Sequence, residues 1–359
     1  MKLKIFSELE VLKDNFDCEP ILLPFFAELT STKQFNCRKI FENYALHKNS
    51  FFKLSSLLEA DLTVLPINWE KALSTGKADK LLELTQKAKE ANTISIGFFG
   101  GDCSHLKLEK ENDLMFRQSL FASTRASNDF AYPAWSKDIL SEHLNGELPI
   151  IKDKPLKPTV GFCGFSAQKT WKSYLKIWLH QSEKKIKNRK IPRYHIGHVL
   201  RTLALSKLAT SSLVNSNFII RERSFFQNIK SNLALQQKQK NEFINNMVES
   251  DYIFCCRGSG NYSFRFYEAL SCGRIPVFLN TDCVLPYDFE IDWKKYCVWI
   301  DESELDLIDV KVSEFHEKIS SQEFRELQYE CRKIWQERIS PEGFFGNLYR
   351  HIPLVELNN

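Results

Sequence analysis

The sequence has no long apolar run and no cysteine spacing typical of a metal or disulfide framework. No stretch reaches the roughly 18 apolar residues that a membrane-spanning helix needs, and Met1–Phe6 is too short and too charged for a signal peptide. The ten cysteines form no Cys-x-x-Cys pair, and several lie in apolar, strand-like runs. We therefore expect reduced, buried thiols and no metal site.

The sequence also lacks a strong excess of charge of either sign. Lys and Arg number 49 and Asp and Glu 45, which gives a net charge of +4 over 359 residues. Such a balance permits attraction to anionic substrates but does not require a nucleic-acid partner, and we expect none. The strongest basic run, Lys184–Lys190, contains no aromatic residue, and runs of this kind are usually solvated loops or helix ends.

Apolar material is plentiful, at 43% hydrophobic residues, and is sufficient for two domains of ordinary size. Strand-like runs alternate with amphipathic helical patterns, which predicts an α/β fold with parallel sheets covered by helices. In the first half the predicted strands are Leu3–Phe6, Pro20–Leu23, Leu62–Ile67 and Thr93–Phe99, and the predicted helices are Phe41–Leu58 and Lys77–Ala91.

The stretch Glu147–Pro158 contains three prolines, which disfavour helix, and we place the domain boundary there. The prediction is an α/β domain at 1–152, a second at 153–338 and a C-terminal helical tail at 339–359. The second half is predicted to hold strands at Thr159–Cys163, Phe218–Arg221 and Cys297–Ile300, and helices at about 168–183, 197–210, up to 249, 312–338 and 342–351.

The segment from Asp251 to Val277 is the most informative part of the chain. It is predicted to contain a strand at Asp251–Cys256 and a glycine loop at Arg257–Gly260. A helix then runs from Asn261 or Ser263 to Gly273, and a second strand lies at Ile275–Leu279. Glycines let a loop turn tightly and approach a ligand closely. With Arg257 and Arg265 nearby, the unit offers a phosphate a helix N-terminus, free amides and fixed positive charge.

Arg265 and Glu268 are three residues apart, so they share one face of the predicted helix. Two interpretations stay open. One is a surface ion pair, which stabilises the fold by only about 0.2–0.5 kcal/mol. In the other, Glu268 accepts hydrogen bonds from the two hydroxyls of a ribose while the arginines face a diphosphate. This second interpretation gives a nucleotide-sugar site made of Arg257, Gly258, Gly260, Ser263, Arg265 and Glu268.

The same segment resembles the signature of exostosin-like glycosyltransferases, in which Arg-Gly-x-Gly is followed by Ser-x-Arg, Glu-Ala-Leu, a glycine and Ile-Pro-Val. Here these elements are Arg257–Gly260, Ser263–Arg265, Glu268–Leu270, Gly273 and Ile275–Val277. Weaker similarity extends from about residue 60 to about 300. The resemblance implies a GT-B fold, in which two Rossmann-like domains face each other across a cleft. It also implies inverting transfer from a nucleotide-sugar, typically a UDP-sugar, to a glycan or glycolipid in polysaccharide biosynthesis.

No convincing Asp-x-Asp motif is present, so we expect a metal-independent reaction with no tightly bound cofactor. Arginines and a helix N-terminus would then stabilise the departing diphosphate. Arg201 and Arg221 are further candidates for this role, although either could be a surface residue. His195 and His198 have the spacing of half a metal site, but no third ligand lies near them in the sequence, so we expect core or surface positions.

The acceptor hydroxyl must lose a proton, which calls for a carboxylate or a histidine. Asp102 and His105 follow a glycine pair at the end of a predicted strand and are the candidate catalytic residues. A capping role for Asp102 stays open as an alternative.

Animal exostosins are typically held in the Golgi by an N-terminal membrane segment, which this sequence does not show. We therefore expect a cytoplasmic protein of bacterial or viral origin, with room for peripheral contact with a membrane. Two alternative functions stay open. One is a fucosyltransferase-like enzyme that uses a GDP-sugar. The other is a non-catalytic glycan-binding or polymerase-partner protein with the same fold.

Overall fold

A computed structural model describes residues 2–8, 18–25, 38–46, 51–108, 112–143, 153–166, 196–221 and 232–352, with a few isolated positions between 171 and 182. The chain divides into two compact units. The first comprises Met1–Trp135, Val284–Tyr287 and Glu337–Asn359, and the second comprises Ser136–Cys283 and Asp288–Gln336. The domain boundaries predicted after residues 152 and 338 stay predictions.

The first unit contains a six-stranded sheet in which every strand pairing is parallel, in the order β2-β1-β3-β4-β5-β6. The strands are β1 (Leu3–Phe6), β2 (Phe52–Leu54), β3 (Leu62–Val64), β4 (Ile94–Phe99), β5 (Leu114–Arg117) and β6 (Asp129–Ala131). The α-helices described before residue 135 are α1 (Arg38–Leu46), α2 (Trp69–Ser74) and α3 (Ala78–Glu90). All residues of β3, β5 and β6 are buried, as expected for a sheet covered on both faces.

Two predicted elements of this unit are wrong. Pro20–Leu23, predicted as a strand, begins a 3-10 helix, Pro20–Phe25, because its two prolines lack the N–H groups that a sheet ladder needs. The helix predicted over Phe41–Leu58 ends at Leu46, and Phe52–Leu54 pairs with β1 instead. That pairing is a long-range contact, which local periodicity does not report.

The second unit contains a five-stranded sheet, also with every pairing parallel, in the order β11-β10-β9-β7-β8. Its strands are β7 (Thr159–Phe165), β8 (Asn215–Arg221), β9 (Tyr252–Cys255), β10 (Ile275–Asn280) and β11 (Val298–Asp301). Its described α-helices are α4 (Ile139–His143), α5 (Ile196–Thr210), α6 (Leu233–Glu249), α7 (Phe264–Ser271), α8 (Ile308–Lys318) and α9 (Ser321–Ile334).

Most elements predicted for this unit are present. The predicted helix 168–183 and the basic run Lys184–Lys190 lie almost entirely outside the described residues. The single helix predicted over 312–338 is instead divided into α8 and α9. Ser320 begins α9 with a capping box, because its hydroxyl accepts from the Glu323 N–H while the Glu323 carboxylate accepts from the Ser320 N–H.

The last described residues pack in the first unit. They form α10 (Pro341–Gly346) and a 3-10 turn, Leu348–His351. The ring of Phe345 lies 4.7 Å from that of Tyr44, and the ring of Phe344 lies 5.6 Å from that of Phe116. The Tyr287 hydroxyl donates to the Phe344 carbonyl over 2.8 Å. Aromatic pairs of this kind stabilise a core beyond the area they bury, so this segment is part of the core of the first unit.

Both sheets have the same topology. Numbered from the first strand of each unit, the order is 2-1-3-4-5, and the first unit has a sixth strand at its edge. This doubly wound arrangement confirms the predicted α/β class. The order reverses between β1 and β3 in the first sheet and between β7 and β9 in the second, and ligands of such sheets bind beyond the carboxyl ends of the strands at that point. The cleft between two facing domains stays a prediction.

Candidate functional site

The predicted unit of strand, glycine loop, helix and strand is present as β9, the loop, α7 and β10. Ser263 is the N-cap of α7, in extended conformation, although its hydroxyl makes no capping hydrogen bond. Gly273 follows the helix with a φ of 62°. Its N–H donates to the Leu270 carbonyl over 3.0 Å, and the Arg274 N–H donates to the Ala269 carbonyl over 2.9 Å. This is a Schellman motif, so Gly273 ends the helix as predicted.

Helix α7 has one buried apolar face and a second face that carries Arg265 and Glu268. Phe266, Tyr267 and Leu270 are at most 2% exposed and pack in the core of the second unit. Arg265 and Glu268 lie on the other side of the helix, with 3.3 Å between Nε and Oε2. The ion pair proposed from the spacing is therefore present. Burial raises the pKa of Glu268, and the positive charge of Arg265 opposes that shift.

Arg265 extends from α7 to the neighbouring strand β7. Its Nη2 donates to the Cys163 carbonyl over 2.8 Å, and its guanidinium stacks on the ring of Phe243 at 4.2 Å. Its Nη1 is buried and has no hydrogen-bond partner among the described residues. A buried polar group in that condition costs about 1–3 kcal/mol, and more when it is charged, unless a ligand satisfies it. Arg265 therefore has a buried donor that the described residues leave without a hydrogen bond.

Arg201, on α5, is a second guanidinium of this kind. It donates through Nη1 to the Phe165 carbonyl over 3.1 Å and through Nη2 to the Arg257 carbonyl over 3.0 Å. Its Nε is buried without a partner in the part of the chain that the structure describes. Burial lowers the pKa of Arg201, and the nearby charge of Arg265 lowers it further. Arg201 and Arg265 thus bring two positive charges together between the ends of β7 and β9, and that of Arg265 is paired with the Glu268 carboxylate.

Arg257 is oriented differently from the prediction. Its guanidinium folds back on its own loop and donates to the carbonyls of Gly258 and Ser259 and, over 3.5 Å, to the side-chain oxygen of Asn261. Asn261 is itself fixed, because its Nδ2 donates to the Asp282 carbonyl over 3.1 Å. Arg257 therefore shapes the glycine loop in this conformation, and a contact between Arg257 and a diphosphate stays a prediction.

The glycine loop is packed on one side and open on the other. At Gly197, in the first turn of α5, an added Cβ would lie 2.3 Å from the Gly258 carbonyl oxygen, so the helix touches the loop. At Gly258 an added Cβ would meet no described atom within 4 Å, and the backbone there is not left-handed. Neither packing nor conformation explains Gly258, whereas close approach of a ligand would.

Arg221, the other arginine considered for this role, is paired with a carboxylate. It ends β8, where its Nη2 lies 3.0 Å from the Glu242 carboxylate and donates to the Gln239 carbonyl over 3.2 Å. Its charge is therefore balanced by Glu242, as that of Arg265 is by Glu268, and a role for Arg221 in the site stays a prediction.

The predicted catalytic residues Asp102 and His105 lie in the first unit, in the loop after β4. Both are half-buried, and the His105 ring lies edge-on to Phe121 with 5.2 Å between ring centroids. Arg117 holds this loop, because its Nη1 donates to the carbonyls of Ser104 over 2.7 Å and of Leu106 over 2.9 Å. The loop is well fixed, and the catalytic role of its residues stays a prediction.

Sequence reasoning missed a carboxylate next to the same loop. Glu70 is exposed on α2, and an added Cβ on Gly101 would lie 2.3 Å from its Oε1. The Gly101 N–H donates to the Gln118 side chain over 2.9 Å, so the glycine pair has a fixed position. The only signal in the sequence was that Glu70 closely follows the predicted strand Leu62–Ile67, and it gave no reason to choose this residue.

The described residues include no group of three or more His, Cys, Asp or Glu side chains that could hold a metal ion. The ring of His198 lies edge-on to Phe165, at 5.8 Å, and His195 is outside the described residues. The nine cysteines that the structure describes are free thiols. Within the described ranges, no helix has the length and the apolar composition needed to span a bilayer.

Comparison with known proteins shows that part of this chain is similar to exostosin proteins. Residues 172–312 match the exostosin GT47 domain, a glycosyltransferase domain. Over 102 residues the chain is 35% identical to Exostosin-1 of Drosophila melanogaster. This match covers 28% of this chain and 12% of that protein. This part of the chain is thus similar to the exostosin GT47 domain, in agreement with the resemblance found in the sequence. The chain spans only a small part of the length of the relative.

Solved structures of glycosyltransferases resemble the chain only distantly. The structure of TarM has 12% identity and a TM-score of 0.37, and the match covers 82% of this chain and 54% of TarM. A glycosyltransferase from Rickettsia africae ESF-5 has 9% identity and a TM-score of 0.37, with 99% of both chains covered. At such scores the fold rests on the observed strand order and not on these neighbours.

Proposed function

We propose that the protein transfers a sugar from a nucleotide-sugar to a glycan or glycolipid acceptor and binds the donor between the ends of β7 and β9. The observation that supports this most strongly is the pair of buried guanidinium nitrogens, Arg201 Nε and Arg265 Nη1, that have no partner among the described residues. They lie where the strand order of the second sheet reverses, next to the open Gly258.

The chemistry requires positive charge at this position. Transfer breaks the bond between the anomeric carbon and an oxygen of the diphosphate, and the electron pair leaves with the diphosphate. One arginine guanidinium can bind two phosphate oxygens at once. A preorganised hydrogen-bond donor of this kind lowers the activation barrier of the transfer by on the order of 3–4 kcal/mol. Arg265 and Arg201 would supply that stabilisation without a metal ion, which is why we propose a metal-independent reaction. That the transfer inverts is proposed from the family resemblance alone.

Glu268 would bind the ribose of the donor. Its carboxylate is held by Arg265 through Oε2, and the side chain keeps 24% of its surface exposed. A carboxylate in this state accepts hydrogen bonds from neighbouring hydroxyls. The acceptor hydroxyl bonds to the anomeric carbon and loses its proton. The candidates to receive that proton are Asp102, His105 and Glu70 in the first unit.

A donor panel tests this proposal. We expect UDP-sugars to raise the melting temperature of the protein, because a ligand at about 100 times its Kd adds about 2.7 kcal/mol to stability. A response to GDP-sugars alone would favour the fucosyltransferase-like alternative. Binding without release of nucleotide in the presence of glycan acceptors would favour the non-catalytic alternative. If no nucleotide-sugar changes the melting temperature, the proposed donor site is wrong.

A further inference from the structure

Three polar side chains of the first unit lie around the glycine pair Gly100–Gly101, at the carboxyl end of β4. The Tyr132 hydroxyl lies 3.1 Å, the Glu70 Oε2 3.8 Å and the Gln118 Oε1 3.9 Å from the position that a Cβ on Gly100 would occupy. We call these three side chains the Glu70 cluster. Gln118 directly follows β5, Tyr132 directly follows β6, and Glu70 is on α2. Ligands of open α/β sheets bind beyond the carboxyl ends of the strands, and the cluster is at that edge of the sheet.

Helix α2 holds Glu70 beside the glycine pair through the two residues that precede it. The Asn68 side chain begins the helix and accepts a backbone N–H of the first turn over 2.8 Å. Trp69 is 2% exposed, and its Nε1 donates to the Asn112 side chain over 3.1 Å. Trp69 also packs against β4, because an added Cβ on Gly97 would lie 2.9 Å from that Nε1. The backbone at Glu70 is therefore fixed, while its side chain is exposed.

The Gln118 amide has a defined orientation. Its Oε1 accepts from the Gly101 N–H over 2.9 Å, so its Nε2 is the group that remains to donate to a ligand. Among the described residues, nothing accepts from that Nε2, and nothing forms a hydrogen bond or an ion pair with the Glu70 carboxylate. The cluster thus offers a ligand one charged acceptor and one neutral donor.

This combination selects a hydroxyl group. A hydroxyl both donates and accepts, so one hydroxyl, or two neighbouring ones, can donate to the Glu70 carboxylate and accept from the Gln118 amide. An ammonium group only donates and would leave that amide unused, whereas a phosphate group would meet the negative charge of Glu70. The Tyr132 ring is fixed edge-on to Phe98, with 5.7 Å between centroids, and its hydroxyl adds a further polar group of the same kind. A sugar ring, which presents neighbouring hydroxyls and no charge, is the ligand class that fits.

We propose that the Glu70 cluster binds a sugar unit of the acceptor through its hydroxyls. The inference deepens the proposed function and rests on it, because it gives the acceptor a binding site and a chemical class. The sugar units of a glycan and of a glycolipid offer the same hydroxyls, so the test has to separate a contact with the sugar from a contact with an alkyl chain.

Saturation-transfer NMR with methyl glycosides of glucose, galactose, xylose and N-acetylglucosamine tests the proposal on the whole chain. We expect at least one glycoside to bind the parent. Its Kd should rise about tenfold or more in E70A, because a hydrogen bond to a charged group is lost. Q118E should weaken binding as much, since it replaces the amide donor by a second negative charge while an oxygen still accepts from the Gly101 N–H.

Two variants separate this contact from a structural role. E70Q keeps an acceptor oxygen, so its Kd should lie between those of the parent and E70A. The matched control is E59A, which removes an exposed acid from another short helix of the first unit and should bind as the parent does. E70A should melt as the parent does, because the Glu70 side chain is exposed and the described residues leave it unpaired.

The proposal is wrong if no methyl glycoside binds the parent, or if E70A or Q118E binds the glycoside as tightly as the parent does. It is also wrong if an octyl glycoside binds E70A as tightly as the parent, since the alkyl chain would then be the group that is bound. Titration of a UDP-sugar into the same proteins separates this failure from that of the proposed function. A UDP-sugar that binds where no glycoside does overturns the acceptor site alone, and a glycoside that binds where no UDP-sugar does overturns the donor site alone.

Discussion

Glu19 is a buried acid that the proposed reaction does not use. It precedes the 3-10 helix Pro20–Phe25 and is 5% exposed, and its N–H donates to the Pro66 carbonyl over 2.8 Å. Burial raises the pKa of Glu19 to about 8, and a hydrogen bond with Asn68 opposes the shift. The folded protein therefore holds a proton here at pH 7, whereas in the unfolded chain this carboxyl is ionised above about pH 4.5.

This difference makes stability depend on pH, and Glu19→Gln tests it. Folding raises the pKa of Glu19, so the protonated side chain contributes its whole stabilisation below about pH 4.5. The free energy of unfolding of the parent then falls as the pH rises towards about 8. The loss is on the order of 1 kcal/mol per pH unit in that window. Glutamine mimics the protonated acid, so E19Q should unfold at a higher urea concentration than the parent at pH 8 and at a similar one at pH 4.5. Equal midpoints at pH 8 would contradict the assignment.

Among the secondary-structure elements, α7 connects the core of the second unit to the candidate site. Its apolar face fixes where Arg265 and Glu268 lie, and the Schellman motif at Gly273 fixes where the chain turns into β10. The end of this helix should therefore be sensitive to the loss of a glycine that adopts a left-handed φ.

Gly273→Ala should destabilise the protein by about 1–2 kcal/mol, because at a φ of 62° an added Cβ comes too close to the carbonyl oxygen. The matched control is Gly258→Ala, where φ is not left-handed and no described atom would meet the new methyl group. Urea denaturation of both variants separates the two glycines. We expect a lower midpoint for G273A and an unchanged one for G258A, together with weaker nucleotide-sugar binding by G258A. A G258A midpoint as low as that of G273A would show that Gly258 serves folding.

Local signals in the sequence were sufficient for β9, the glycine loop, α7 and β10. Glycine positions, a cap and a buried apolar run are each short-range features, so this unit could be predicted. Contacts between distant segments could not. The pairing of β2 with β1, the approach of Arg201 to the Arg257 carbonyl and the position of Glu70 beside Gly101 each join residues far apart in the chain.

For the protein as a whole, the shared strand order of the two sheets explains where a ligand can bind. In the second sheet the reversal between β7 and β9 coincides with Arg201, Arg265 and the open side of the glycine loop. The proposed donor site would therefore follow from the fold together with Arg201 and Arg265, and Arg257 holds the loop in shape. The proposed function requires that Arg265 contacts the ligand as well as its neighbours within the protein.

Calorimetric titration of a UDP-sugar into the parent, R265A and R325A tests this dependence most directly. Arg325 is an arginine of the same unit whose ion pair, with Asp153, is exposed, so its removal should leave affinity unchanged. Loss of Arg265 removes charge-assisted hydrogen bonds of about 1.5–3 kcal/mol, so Kd should rise roughly 10- to 100-fold. If R265A remains folded and binds the UDP-sugar as tightly as the parent and R325A do, the donor does not bind where we place it.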